Sequence, residues 1–159
     1  MRRPGRSRVA AAFLPVVLGL AACAPVVALQ PAERAADPAC AEVTVRLPDE
    51  IGGLEQRETN AQATGAWGEP VAVVLHCGVP APPPTSELRC VTTPGGVVDW
   101  LIDDSNAPEF VFTSYGRDPA VTVVVDYEVV SGATVVSELD GAVARLPQVG
   151  SCIGPEEAQ

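Results

Sequence analysis

Four kinds of side chain in this 159-residue sequence could carry chemistry: five cysteines, one histidine, 20 carboxylates, and a small set of tryptophans and arginines. His76 adjoins Cys77. A Cys–His nucleophile pair would need Cys77 as a free thiolate, which an oxidising compartment opposes, so His76 reads as a polar residue closing a strand. Asp99, Asp103, Asp104, Asn106 and Glu109 form the densest set of oxygen ligands. Calcium takes about six to eight oxygens, but this spacing does not fit an EF-hand loop, and Asp and Asn also make turns. The set therefore reads as a solvated turn, and neither a metal nor another cofactor is expected. Paired carboxylates could hydrolyse a glycosidic bond, but only at a defined separation in space. With 20 acids, proximity in sequence selects no pair. No phosphate-cradling glycine loop, hydrolase elbow or metalloprotease helix is present.

Trp67, Trp100, Arg57 and Arg117 are the candidate binding residues. Aromatics are scarce here, and the chain has ten Arg and no Lys. A Trp and an Arg on one surface would suit a carboxylate-bearing or sugar-like ligand through bidentate hydrogen bonds and stacking. The competing expectation is that both Trp fill the core while each Arg pairs with an acid.

Cys23 stands apart from the other thiols. Met1 to Arg8 carries four Arg and no acid, and Val9 to Ala22 is apolar or small throughout. That run of 14 residues is shorter than the roughly 20 needed to span a bilayer as a helix and fits a signal-peptide core. Leu20-Ala21-Ala22-Cys23 resembles the lipobox of bacterial lipoproteins, in which the thiol takes a diacylglyceryl group and cleavage leaves the cysteine first. Residues 1–22 are thus expected to be a signal peptide and Cys23 the lipid attachment site, holding the chain at the outer face of the cytoplasmic membrane. Loss of four Arg with the signal leaves six Arg against 20 acids, a net charge of −14. Nucleic acid is excluded as a partner, because phosphate binding needs clustered cations.

Cys40, Cys77, Cys90 and Cys152 remain, an even number that reads as two disulfides in an exported chain. Three pairings are possible. Cys77–Cys90 would close a short Pro-rich loop and Cys40–Cys152 would tie the start of the domain to its end, and this pairing is favoured. No pair has the Cys-x-x-Cys spacing of a zinc site.

These residues must be positioned by a domain expected over residues 40–153, after an Ala/Pro-rich tether at 23–39 and before a flexible tail at 154–159. Val43, Val45 and Leu47 alternate as one face of a strand, which Pro48 stops. Val71 to His76 reads as a central strand, ended by Gly78 and the stiff Pro80 to Pro84 loop, with a short segment around Cys90 to follow. Val97 to Ile102 and Glu109 to Tyr115 are two short strands separated by a turn at Asp103 to Asn106. Val121 to Val129 is the strongest strand. After Ser131-Gly132, the residues Val136, Leu139, Val143 and Leu146 fall at helical spacing until Pro147. The pattern predicts an α+β domain, a small mostly antiparallel sheet with a C-terminal helix packed on it and two disulfides. An all-β sandwich is the alternative.

Several short patterns then combine: Leu47-Pro48, Gly53-Leu54, Arg57-Glu58-Thr59, Trp67-Gly68-Glu69-Pro70, Cys77-Gly78-Val79-Pro80, Val98-Asp99-Trp100-Leu101, Tyr115-Gly116-Arg117 and Pro119-Ala120-Val121. Their order and spacing over residues 40 to 152 resemble a family of small actinobacterial envelope proteins, catalogued as a domain of unknown function. The resemblance implies an exported or membrane-anchored protein and no particular reaction. Two departures are visible: Gln56-Arg57 where the family often has paired basic residues, and His76 where it often has Arg. The sequence as a whole predicts a lipid-anchored envelope domain that is not an enzyme and binds a partner protein or a cell-wall component. An envelope hydrolase using paired carboxylates and a purely structural lipoprotein are the alternatives.

Overall fold

A computed structural model describes residues 25–152; the signal peptide expected at 1–22, Cys23 and the tail expected at 154–159 lie outside the described residues. Eight strands form one antiparallel sheet: β1 (Glu50–Ile51), β2 (Leu54–Arg57), β3 (Thr64–Trp67), β4 (Val73–Val79), β5 (Arg89–Thr92), β6 (Asp99–Asn106), β7 (Glu109–Tyr115) and β8 (Ala120–Asp126), in the spatial order β1-β2-β3-β4-β8-β7-β6-β5. Two helices, α1 (Pro38–Thr44) and α2 (Gly132–Val143), pack on one face and against each other, α1 on β4 and α2 on β1 and β8. The expected α+β class is what forms.

Alternation explains the core. Val73, Leu75 and Cys77 of β4 stand opposite Val125, Val123 and Val121 of β8, and all six are buried beneath the helices. Phe112 of β7 and Trp100 of β6 continue that face, while Cys40, Val43, Val135, Val136, Leu139 and Val143 close it from the helices. The opposite face carries Val74, His76, Thr122 and Val124, each half-buried. β4 is central, as expected from its apolar residues on both faces.

Four local expectations are corrected. Glu42 to Leu47 is not a strand: α1 runs through it, because Asp37 caps the helix from its side chain to Ala39 N–H and Pro38 sits in the first turn. Cys40 and Val43, three apart, form the buried stripe, whereas Val45 is 76% exposed. Asp103 to Asn106 is not the turn but the bulged end of β6, paired with β7 around a turn at Ala107-Pro108. β8 stops at Asp126, three residues earlier than expected, because its carboxylate accepts from Glu128 N–H and its carbonyl from Val129 and Val130 N–H.

The fourth correction concerns the tether. From residue 25 the Ala/Pro-rich stretch is laid on the domain. Val27 forms a parallel bridge to Thr59, Leu29 N–H donates to Asn60 Oδ1, and Arg34 N–H donates to the Gly78 carbonyl. Gly78 lies at φ +101°, and a Cβ there would stand 2.4 Å from the Arg34 carbonyl carbon, so glycine admits the close approach. Composition concealed this, since the segment is held largely by backbone hydrogen bonds that any residue type can supply.

Both disulfides form, with a different pairing from the one favoured. Cys40–Cys77 bolts α1 to β4, with Cα atoms 5.6 Å apart, and Cys90–Cys152 ties edge strand β5 to the C-terminal segment, at 5.9 Å. Cys77–Cys90 is barred by topology. Three strands separate β4 from β5, a distance of about 19 Å at roughly 4.8 Å per strand, far beyond the reach of a disulfide.

Candidate functional site

The four candidate binding residues do not come together, and three of them are structural. Trp67 is fully buried and its Nε1–H donates to the Pro48 carbonyl at 2.9 Å. Trp100 is also fully buried, with Nε1–H donating to Thr93 Oγ1 at 3.0 Å while that hydroxyl donates to the Val98 carbonyl. Arg117 is 4% exposed, and its guanidinium donates to the carbonyls of Leu146 (2.8 Å) and Val97 (2.9 Å). It thus neutralises acceptors just beyond the C-terminal end of α2, where a cation is favourable. The expectation of a Trp/Arg surface is overturned by burial.

Arg57 differs. Its side chain, one-tenth exposed, pairs with Glu69 and donates to the carbonyls of Gly68 (3.0 Å) and Pro25 (2.9 Å). It borders a shallow depression of about 260 Å³ with Gly53, Leu54, Glu55 and Glu69. That is below the roughly 300 Å³ at which small-molecule sites begin.

The acids of the β6–β7 hairpin are dispersed. Asp99 is buried and accepts from Thr92 Oγ1 and Cys152 N–H, each at 2.7 Å. Asp103 accepts from Ser105 N–H, which with the Ser105 hydroxyl holds its pKa below the ordinary carboxylate value. Asp104 pairs with Arg89, and Glu109 accepts from Asn106 Nδ2. Among the described residues, no three His, Cys, Asp or Glu side chains gather as a metal ion would require. His76 lies on the open face, where burial pushes its pKa below the ordinary value against a raising contribution from a hydrogen bond to the Gln30 backbone. Its neighbour Cys77 is oxidised in the disulfide, so no thiolate faces it. Among the described residues every buried side-chain nitrogen and oxygen has a partner.

One apolar opening was not anticipated. Between α2 and edge strand β5, Val91, Ile102, Phe112, Tyr127 and Val136 line a cleft of about 170 Å³. Tyr127 stacks on Phe110, with ring centroids 3.9 Å apart, and leaves its own side 39% exposed. The one available signal was the clustering of Phe110, Phe112, Tyr115 and Tyr127, four of the five Phe and Tyr residues, within 18 positions. Strand β5 lines the cleft and ends the sheet, presenting backbone groups on its outer side without a neighbouring strand.

An open antiparallel sheet with helices on one face, cross-linked twice, defines a disulfide-stabilised α+β domain. The chain matches, over residues 8–150, the family described as "Protein of unknown function (DUF3515)", and it belongs to that family. No curated protein and no solved structure matches it.

Proposed function

We propose that this chain is an exported lipoprotein of an actinobacterial envelope, held by lipid on Cys23 at the outer face of the cytoplasmic membrane, whose domain binds a protein partner or cell-wall component and catalyses no reaction. Two disulfides are consistent with an oxidising extracellular environment. Among the described residues no helix is long and apolar enough to cross a membrane, and in this reading the acyl chains carry the attachment. The family match begins at residue 8 and so takes in the apolar run and Cys23. The address is tested on the tryptic peptide that runs from Cys23 to Arg34 in a processed chain. A mass carrying a diacylglyceryl group is expected, and a free Cys23 thiol there overturns the anchoring.

The observation that carries the binding mode is the apolar cleft beside β5. An extended segment could add to the free edge and place an apolar side chain between Val91 and Val136, the general geometry of strand addition. The domain's acidity favours a segment with basic flanks. A photo-crosslinker at Val91 in native membranes should capture a species that one at exposed Val45 does not, and Ala133→Glu, an exposed change on the α2 side of the cleft, should abolish the capture. Identical products from both positions would sink this mode.

A further inference from the structure

The chain between Cys23 and the sheet is too short, and too firmly fastened, to let the domain turn freely. Pro25 is held by Arg57 Nη2 at 2.9 Å, and Val27 is held on both sides, donating to the Glu58 carbonyl (2.8 Å) and accepting from Asn60 N–H (3.2 Å). Arg34 then pairs with Asp37 and Asp118 beside its backbone bond to Gly78. Cys23 precedes Pro25 by two residues. Whatever the path between them, covalent geometry keeps their Cα atoms within about 7 Å of each other.

The direction of this strap decides which end of the sheet lies near Cys23. Val27 runs parallel to Thr59, and the strap reaches Gly78, at the far end of β4, only at Arg34. Pro25 therefore sits beside the Gly68 carbonyl and the β3–β4 turn. The end of β8 meets the start of β4 there, since Asp126 N–H donates to the Ala72 carbonyl. The opposite end carries the Pro80–Pro84 loop, the start of β8 and the turn between β5 and β6. The seven residues of β4 separate the two ends by about 20 Å at roughly 3.3 Å per residue.

We propose that the anchored domain stands end-on at the membrane, with the Gly68–Val71 turn and Arg57 towards the phospholipid headgroups and the Pro80–Pro84 loop and the β5–β6 turn pointing away. This orientation rests on lipidation of Cys23. The near end carries Glu55, Glu69, Asp126 and Glu128, so it gains nothing from anionic headgroups; the short link alone keeps it close.

The absence of Lys from the chain supplies the test, because a single introduced lysine is a unique side-chain amine. Lipidated full-length protein with Glu55→Lys (near end, beside Gly68) or Ala81→Lys (far end, just after β4) is labelled with a donor dye. It is then reconstituted into phosphatidylcholine vesicles bearing a headgroup acceptor, and protein without added lysine reports the signal of any free terminal amine. Energy transfer from position 55 should exceed that from position 81 several-fold. Ten Gly/Ser residues inserted between Ala24 and Pro25 leave every fastening contact intact and add a link of about 17 Å, so the two signals should converge. Equal transfer from 55 and 81 without the insertion overturns the orientation. The mass of the Cys23–Arg34 peptide reports lipidation separately: acylated protein with equal transfer removes the orientation alone, whereas an unacylated Cys23 removes the anchoring reading and the orientation with it.

Discussion

Arg117 is buried, and its hydrogen bonds go to backbone carbonyls rather than to any of the surrounding acids. Its truncation would strand acceptors at the end of α2 and in the Val97 loop. Arg117→Ala should lower the unfolding free energy by about 3 kcal/mol in urea with disulfides intact, and Arg117→Lys should recover only part, since one ammonium cannot reach both carbonyls. His76 makes a different forecast. Its pKa in the fold lies below the ordinary 6.5, chiefly because burial penalises the charged form. The unfolded chain therefore takes up the proton first on acidification. The stability linked to His76 is complete above 6.5 and declines as pH falls from there to the lower folded pKa. A melting-temperature series from pH 8 to 5 should slope downward, and His76→Gln should flatten it. The residue types alone did not distinguish these roles. A cation capping carbonyls and a cation awaiting a ligand are written with the same letter, and only burial separates them.

Among the elements, β4, β7, β8 and α2 were legible because each carries its own alternation or helical stripe. Strands β1, β2, β3 and β5 were not, being only two to four residues long and stabilised by neighbours that a local pattern does not contain. Helix α1 was misread although Asp37-Pro38 is a helix-start signal; the accidental alternation of Val43, Val45 and Leu47 outweighed it. The disulfide pairing depended on strand order, which no local pattern encodes. The two bridges are placed unequally. Cys40 and Cys77 are 0% and 1% exposed, whereas Cys90 and Cys152 are both half-buried at the sheet edge. Limiting reductant followed by differential alkylation should open Cys90–Cys152 first. Equal opening at both would contradict the burial difference. Loss of either bridge through paired Cys→Ser changes should cost about 4 kcal/mol on the chain-entropy account, with separations of 37 and 62 residues.

At the scale of the molecule, the α+β class and a single sheet followed from the order of patterns, but the domain boundary did not. Residues 25–39 offer little apolar periodicity, yet Ala35 is buried and Asp37 caps α1. Limited trypsinolysis separates a strap from a tether. With no Lys, cleavage is confined to Arg, and a free tether would be cut first at Arg34. In the folded protein Arg34 is paired with two aspartates and followed by a buried residue, while Arg89 is 68% exposed after an exposed loop. Early cuts should fall at Arg89, with the Arg34–Ala35 bond surviving.

The unequal reach of the two bridges also sets a timetable. For a chain threaded across a membrane amino end first, Cys40 and Cys77 are both delivered before the remaining half has emerged, so the helix-to-sheet bolt can close on an unfinished protein. Cys90 must wait a further 62 residues for its partner. Throughout that interval its thiol marks the chain as incomplete, open to any oxidant or neighbouring thiol. Pulse-labelled chains trapped with alkylating agent should therefore pass through a one-bridge species holding Cys40–Cys77, and chains shortened before Cys152 should accumulate there.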